Sequence, residues 1–370
     1  MKKLFSSILV LLTLFVGSTT FTYAQANSVQ KEERIEAKVV SILETSQIIE
    51  TDGRRHPYQR LQMKGATGSL KGKIFEIESG ARDQTGIVTY KAGDNLVLTV
   101  MHDVTGKQVI TITDYIRRNT LYILAAIFIL LTVIIGGRRG ASSIFGMLLT
   151  FVLLFVYVLP QLSKGANPYI VSMIASLIVI PVTFYLSHGI NKKTLCAIIG
   201  TFIALIFTML LSFYFIDQAH LTGFASEEAG FLDVLKNGTI NIKGLLFAGV
   251  VIALLGILED ITVSQAAIVF QLKKANKEFS GLELFKRAMD VGRDHIASMA
   301  NTLILVYAGA SLPLLLLFID NPLPFSSVIN TEMIAEEIVR TLTASIGLIL
   351  AVPITTAITT LFLMSKSSKK

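Results

Sequence analysis

Seven long apolar runs fill the chain from Asn119 almost to its end, over residues 119–136, 141–160, 168–188, 194–216, 244–271, 296–318 and 338–363. A bilayer core about 30 Å thick takes roughly 20 helical residues to cross, and each of these runs is close to or beyond that length. The chain is therefore expected to be a polytopic α-helical membrane protein with about seven transmembrane helices. Composition agrees: 52% of residues are hydrophobic and only 16% charged, the balance that spanning helices produce. The net charge of +7 does not point to nucleic acid, because the basic residues sit in short loops between apolar runs, where charge sets topology.

The start of the chain has a different character. Lys2 and Lys3 precede a short apolar stretch from Leu4 to Val16, and Ala24-Gln25-Ala26 comes next as a small-x-small cleavage site. This reads as a signal peptide over 1–26, with an uncleaved signal anchor as the alternative. Either places the residues after it outside the cytoplasm. Residues 27–115 are polar and β-rich, with short runs such as KVVSIL, GKIFEIES, NLVLTV and QVITIT between Gly- and Asp-containing turns. That pattern predicts a small all-β domain, OB-like in outline. Arg54, Arg55 and Arg60 cluster around Tyr58 in RRHPYQR, which reads as a solvated loop. A transmembrane domain over 116–364 and a basic tail over 365–370 complete the chain. Cys196 is the only cysteine, so no intrachain disulfide is available.

Charge fixes an orientation. Loops around Arg138 and Arg139, Lys192 and Lys193, Lys273 to Arg293, and the tail hold 13 Lys and Arg, against four in the opposite loops. The basic side is expected to be cytoplasmic. The β-domain then lies outside, as the signal segment requires, and the location is a bacterial plasma membrane.

Two apolar runs carry chemistry. In LLGILEDITVSQAAIV, Glu259 and Asp260 stand together in the fifth run. An ionisable group at the centre of a membrane helix costs about 2.5–3.5 kcal/mol on insertion scales, so function is the default reading. Lys243 and Lys273 bracket this run, which places both acids near its middle. Gly256, Asp260, Ser264 and Ala267 share one narrow face; Glu259 points about 100° away. In the sixth run Asp294, Ser298 and Asn301 share a face, followed by Thr302 and Tyr307. Arg293 and Asp294 lie nearer the cytoplasmic mouth, as a candidate gate or ion pair. Between the two runs, Leu282, Phe285 and Met289 predict an interfacial amphipathic helix. Thr355, Thr356, Thr359 and Thr360 form a stripe in the last run that reads as packing.

The chain has no HExxH, Walker A, GxSxG or GxGxxG motif, so no enzyme activity is expected. His188, His295, Asp260 and Asp294 match no metal-ligand spacing, and neither metal nor cofactor is expected.

GILEDITVSQAAIV and DVGRDHIASMANTLILVYAGASLPLLLL resemble the signature of the YibE/F family of bacterial membrane proteins. The matching positions are Gly256, Asp260, Ser264, Gly292, Arg293, Asp294, Asn301, Thr302, Leu303 and Tyr307. GGRRGASSI at 136–144 also looks like a family segment. Two positions depart from the pattern: Glu259 stands where the family more often has an apolar residue, and Val306 replaces the usual Ala. The resemblance implies a multi-pass protein, with two related members often encoded side by side; it implies no settled activity, and a transport role is the expectation.

Together these readings predict a membrane transporter or permease with a polar site between the fifth and sixth spans. Asp260 would bind a cation, a proton or a cationic group. Ser264, Asn301, Thr302 and Tyr307 would supply neutral ligands, with Ser298 and Glu259 as further candidates. Beyond the lipid bilayer and a small solute, the expected partners are a related membrane protein or a second copy. The alternative is an envelope assembly or signalling component that binds a partner through its β-domain, its membrane acids serving only to hold helices together.

Overall fold

The computed structural model describes residues 32–49, 55–80, 88–102, 108–319 and 324–367. The expected signal segment over 1–26, Arg54 and the last three residues lie outside these. The chain divides into two compact units at Leu130 and Leu131.

In the first unit five strands, β1 (Glu33–Ile49), β2 (Arg55–Gly65), β3 (Ile74–Ser79), β4 (Asn95–His102) and β5 (Gln108–Tyr115), form one sheet in the order β3-β2-β1-β4-β5. All its pairings are antiparallel. Strict alternation in β1 turns Ile35, Ala37 and Val39 inward. They pack with Leu61, Met63, Ile77, Leu96, Leu98 and Val100, each large aliphatic side chain contributing about 1.5–3 kcal/mol by burial. Register shifts between Val39 and Ser41 and between Ile42 and Glu44 interrupt β1. Such bulges bend a strand and raise its twist, so the sheet curls into a half-barrel. The runs KVVSIL and QIIET are thus one strand joined through bulges.

RRHPYQR corrects the expectation of a loop, because Arg55–Gly65 is strand. Pro57 is tolerated there because the β2–β3 ladder reaches only to Gln59, so the proline is paired in the sheet with Gln47 of β1 alone. The buried Gln59 donates to the carbonyl of Tyr90 at 3.2 Å and accepts from its N–H at 2.6 Å. Arg60 lies 3.7 Å from Glu44 across the strands.

Helices account for most of the rest: α1 (Arg118–Leu153), a π-helical turn (Leu154–Val158), α2 (Leu159–Ser163), α3 (Pro168–His188), α4 (Lys192–Gln218), α5 (Glu227–Leu235), α6 (Ile242–Ala275), α7 (Gly281–Ala310), α8 (Leu312–Ile319), α9 (Phe325–Ile329) and α10 (Glu332–Ser367). Asn167, Asn191, Asn241 and Ser280 cap α3, α4, α6 and α7, each side chain accepting a backbone N–H of the first turn.

Among the described residues five helical stretches are long and apolar enough to cross a membrane, or up to six if α7 and α8, bent by 70°, count as one. The difference from seven lies in the first stretch. Residues Arg118–Ser163 run as 46 residues, about 69 Å at 1.5 Å per residue, but Gly137 interrupts the helix with φ 57° and ψ −137°. That interruption falls between the first two expected spans. The amphipathic segment after Ala275 is not a separate helix but the first turns of α7.

α4, α6 and α10 make the tight centre of this unit. Gly200 lies so close to Thr355, and Gly347 to Thr208, that a Cβ at either glycine would meet the threonine side chain. The hydroxyls of Thr201 and Thr262 are 2.7 Å apart. Gln265 donates to Thr356 Oγ1 at 2.7 Å and to the carbonyl of Ala288 at 2.9 Å. Leu254, Leu258 and Ile261 are fully buried beside them, as are all four threonines of the 355–360 stripe.

Candidate functional site

α6 carries both acids, and its pattern sets what they face. Gly249, Ala253, Gly256 and Asp260 follow a spacing of four, three and four, which keeps them on one face. All are exposed from the packed centre, and the space around Gly249 and Gly256 is open. α3 runs alongside in the same direction. Pro168 at its start packs against Gly244, and His188 at its end brings Nε2 to 3.7 Å from Glu259 Oε1. The 21 residues of α3 therefore stop about half-way along α6, and a histidine ends beside the half-buried acid.

The third wall comes from α1 beyond its break. Gly140, Ser143, Gly146, Met147 and Thr150 line it, with Gly146 lying against Thr183 and Ser187 of α3. Together α1, the π turn, α3 and α6 line a half-open cavity of about 890 Å³, which also takes in Arg139, Met299 and both acids. Its walls are mostly apolar. The polar groups converge at one part of it: Glu259 and Asp260 from α6, Thr183, Ser187 and His188 from α3, and Arg139 and Ser143 from α1.

Groups of both signs meet here. Glu259, Asp260 and Arg139 line the cavity, and Lys193 lies within electrostatic range of His188 and Arg139. An uncompensated charge is costly in such surroundings, so the acids and these cations bear on one another. His188, 3.7 Å from Glu259, is a titratable ring within reach of that balance.

The structure divides the residues expected at the site. Glu259 and Asp260 reach the cavity, but their companions there are α1 and α3 rather than α7, which contributes Met299 alone. Ser264 is half-buried one turn further along α6. Asn301 and Thr302 are exposed on α7, and Thr302 donates to the carbonyl of Ser298 at 2.9 Å. Tyr307 is half-buried against the apolar core. The expected Arg293–Asp294 pair is corrected: Arg293 meets Asp290 at 2.9 Å, one turn back along α7. Neighbouring residues diverge by about 100° on a helix, whereas positions three apart share a side. Among the described residues no three His, Cys, Asp or Glu side chains gather as a metal site.

Sequence reasoning did not bring Arg139, Ser143, Thr183 and Ser187 to these acids, and it set His188 beside Asp260 only in a metal grouping whose spacing it rejected. The signal for two of them was the segment GGRRGASSI, whose arginines speak first for topology. Nothing in the periodicity of α3 distinguished its last turn.

The chain matches the family model described as YibE/F-like protein over residues 124–365, from within α1 nearly to the end of α10. No curated protein and no solved structure matched it.

Proposed function

The chain belongs to the YibE/F-like family, and from that premise we propose that it is a non-enzymatic membrane permease whose solute carries positive charge. One observation supports the reading above others: two adjacent carboxylates on a spanning helix open onto a cavity of about 890 Å³. That volume lies within the range of small-molecule sites. Acids kept at such a depth against an insertion cost of about 2.5–3.5 kcal/mol each need a role that an apolar residue could not fill. Glu259 and Asp260 hold the cation or protonated group, and His188 relays or replaces its charge.

The finer topology belongs to the same proposal. The break at Gly137 divides the first stretch into two crossings, giving seven. The basic loops lie in the cytoplasm and the β-domain outside the plasma membrane, behind a cleaved signal peptide. The sheet order β3-β2-β1-β4-β5, with a long bulged β1 shared by both halves, supports an OB-like barrel left open between β3 and β5.

The test is thermal unfolding of purified protein with a panel of monovalent, divalent and organic cations across pH. A ligand that binds the native state raises the melting temperature by mass action. Wild type is expected to gain several degrees with one class of cation, and Asp260→Asn and Glu259→Gln to lose that gain while melting normally without ligand. Proteoliposomes loaded with that cation should then show flux that Asp260→Asn abolishes. Undiminished flux through Asp260→Asn would overturn the assignment. No response to any cation, with both variants merely less stable, would leave the acids as helix contacts and favour a partner-binding role for the β-domain.

A further inference from the structure

One face of α7 is out of keeping with its surroundings. Its inner side packs well: the carbonyl of Ala288 accepts from Gln265, Gly292 lies against Val352, and Leu303 is buried. At about 100° per residue, Asp290, Asp294, Ala297, Ser298 and Asn301 fall together on the opposite side, and all five are exposed. Arg293 lies at the edge of the same arc, with 72% of its side chain exposed. This polar face is level with the middle of two apolar spans. Gly292 touches Val352 of α10, and Met299 shares a cavity with Asp260 of α6.

A face of this kind does not sit against hydrocarbon. Ionisable and amide side chains within spans turn toward protein or water and pair with one another. Something covers it, and we infer that the cover is a second copy of this chain, docked α7 to α7 about a two-fold axis along the membrane normal. The residues suit that partner. A two-fold contact uses the same patch on both sides, so the patch must complement itself. Arg293 lies on one flank of the arc and Asp294 on the other, with Asp290 between. Apposition of two parallel α7 helices sets the Arg293 flank of each against the acidic flank of its partner. Ala297 and Ser298 are small enough for close approach. Asn301 then lies near the axis, where an asparagine pairs with its own copy and fixes register. This contact does not depend on whether the cavity carries a solute.

The experiment is disulfide trapping in native membranes. The single cysteine, Cys196, is buried, so Cys196→Ser gives a clean background. Ala297→Cys and Asn301→Cys are oxidised with copper phenanthroline beside Leu210→Cys, which is 63% exposed on α4. The expected result is covalent dimer from the first two and none from the third. A charge exchange tests the complementarity. Arg293→Asp alone and Asp290→Arg with Asp294→Arg alone should each lose the dimer, whereas differently tagged copies of the two, expressed together, should regain it. Monomer throughout overturns the proposal. Labelling of Ala297→Cys by a membrane-impermeant maleimide without crosslinking assigns the face to a water-filled path instead. Neither labelling nor crosslinking assigns it to another cover.

Discussion

The packed side of the bundle and its open side use the same small residues to opposite ends. At the packed centre, glycine and threonine bring backbones together: Gly200 meets Thr355 and Gly347 meets Thr208 between α4 and α10, and Thr201 of α4 meets Thr262 of α6. Toward α1 and α3, Gly256 has nothing within contact distance, and a cavity of about 890 Å³ opens beside it. A small residue in a membrane helix is therefore an instruction only when its neighbour is known. Opposite another small or β-branched residue it draws helices into contact; opposite a helix held away by its own break it leaves room. The rigid side fixes where Glu259 and Asp260 stand, and the open side decides what can reach them.

The comparison breaks most sharply at the glycines. Gly347→Leu would drive a side chain into Thr208, whereas Gly256→Leu would enter open space. Overpacking a close helix contact costs about 1–3 kcal/mol and sometimes more. Gly347→Leu is expected at or above the upper end, with much of the protein lost from the membrane. Gly256→Leu should melt at or above the wild-type temperature, helped by up to about 1 kcal/mol of helix propensity, while losing any stabilisation by cations. Melting curves of both variants in one detergent check this. Equal damage from the two would mean that the cavity closes in the working protein.

Gln265 gives the next effect. It joins α6 to α10 through Thr356 and to α7 through Ala288, so it ties three helices at one point. Gln265→Leu removes two hydrogen bonds, each worth about 0.5–1.5 kcal/mol net, while the Ala288 carbonyl stays in the ladder of its own helix. The thermal midpoint should fall, and the cavity's response to cations should survive. Loss of that response together with little change in melting would place Gln265 in the functional machinery.

How much of this was legible in the sequence varied with the physics involved. Spanning helices were readable because lipid demands long apolar runs, and the runs from 168 to 188 and from 194 to 216 lie close to α3 and α4. The first stretch was harder. Its helical fabric runs on to Ser163, and only the backbone angles at Gly137 reveal the break. β2 escaped notice because Arg, Pro and Gln fill its first half; its place in the sheet rests on the pairing of Pro57 with Gln47 and on the buried amide of Gln59. At the site, Glu259 and Asp260 stood out by their cost. Their companions did not, because Thr183, Ser187 and His188 differ from ordinary helix-end residues only in what α6 places opposite them. The second motif misled for a related reason: spacing showed that Asp294, Ser298 and Asn301 share a face of α7, but not that the face turns away from α6.

The smallest effect separates the two sides most cleanly. Four of the threonines that bond back to their own helices make the comparison: Thr201 to Ala197, Thr262 to Leu258, Thr150 to Gly146 and Thr183 to Val179. Only the first two are also joined to each other, at 2.7 Å. Replacing any one by valine removes its internal bond, a cost common to all four. A double-mutant cycle cancels that cost and leaves the bond between helices. For Thr201→Val with Thr262→Val the coupling should be about 0.6 kcal/mol, the average for such bonds inside membranes. For Thr150→Val with Thr183→Val, which both line the cavity, it should be close to zero. Equal coupling in the two cycles would show that α1 and α3 are held as firmly as α4 and α6. The cavity would then be a fixed chamber, and passage of a solute would need a different moving part.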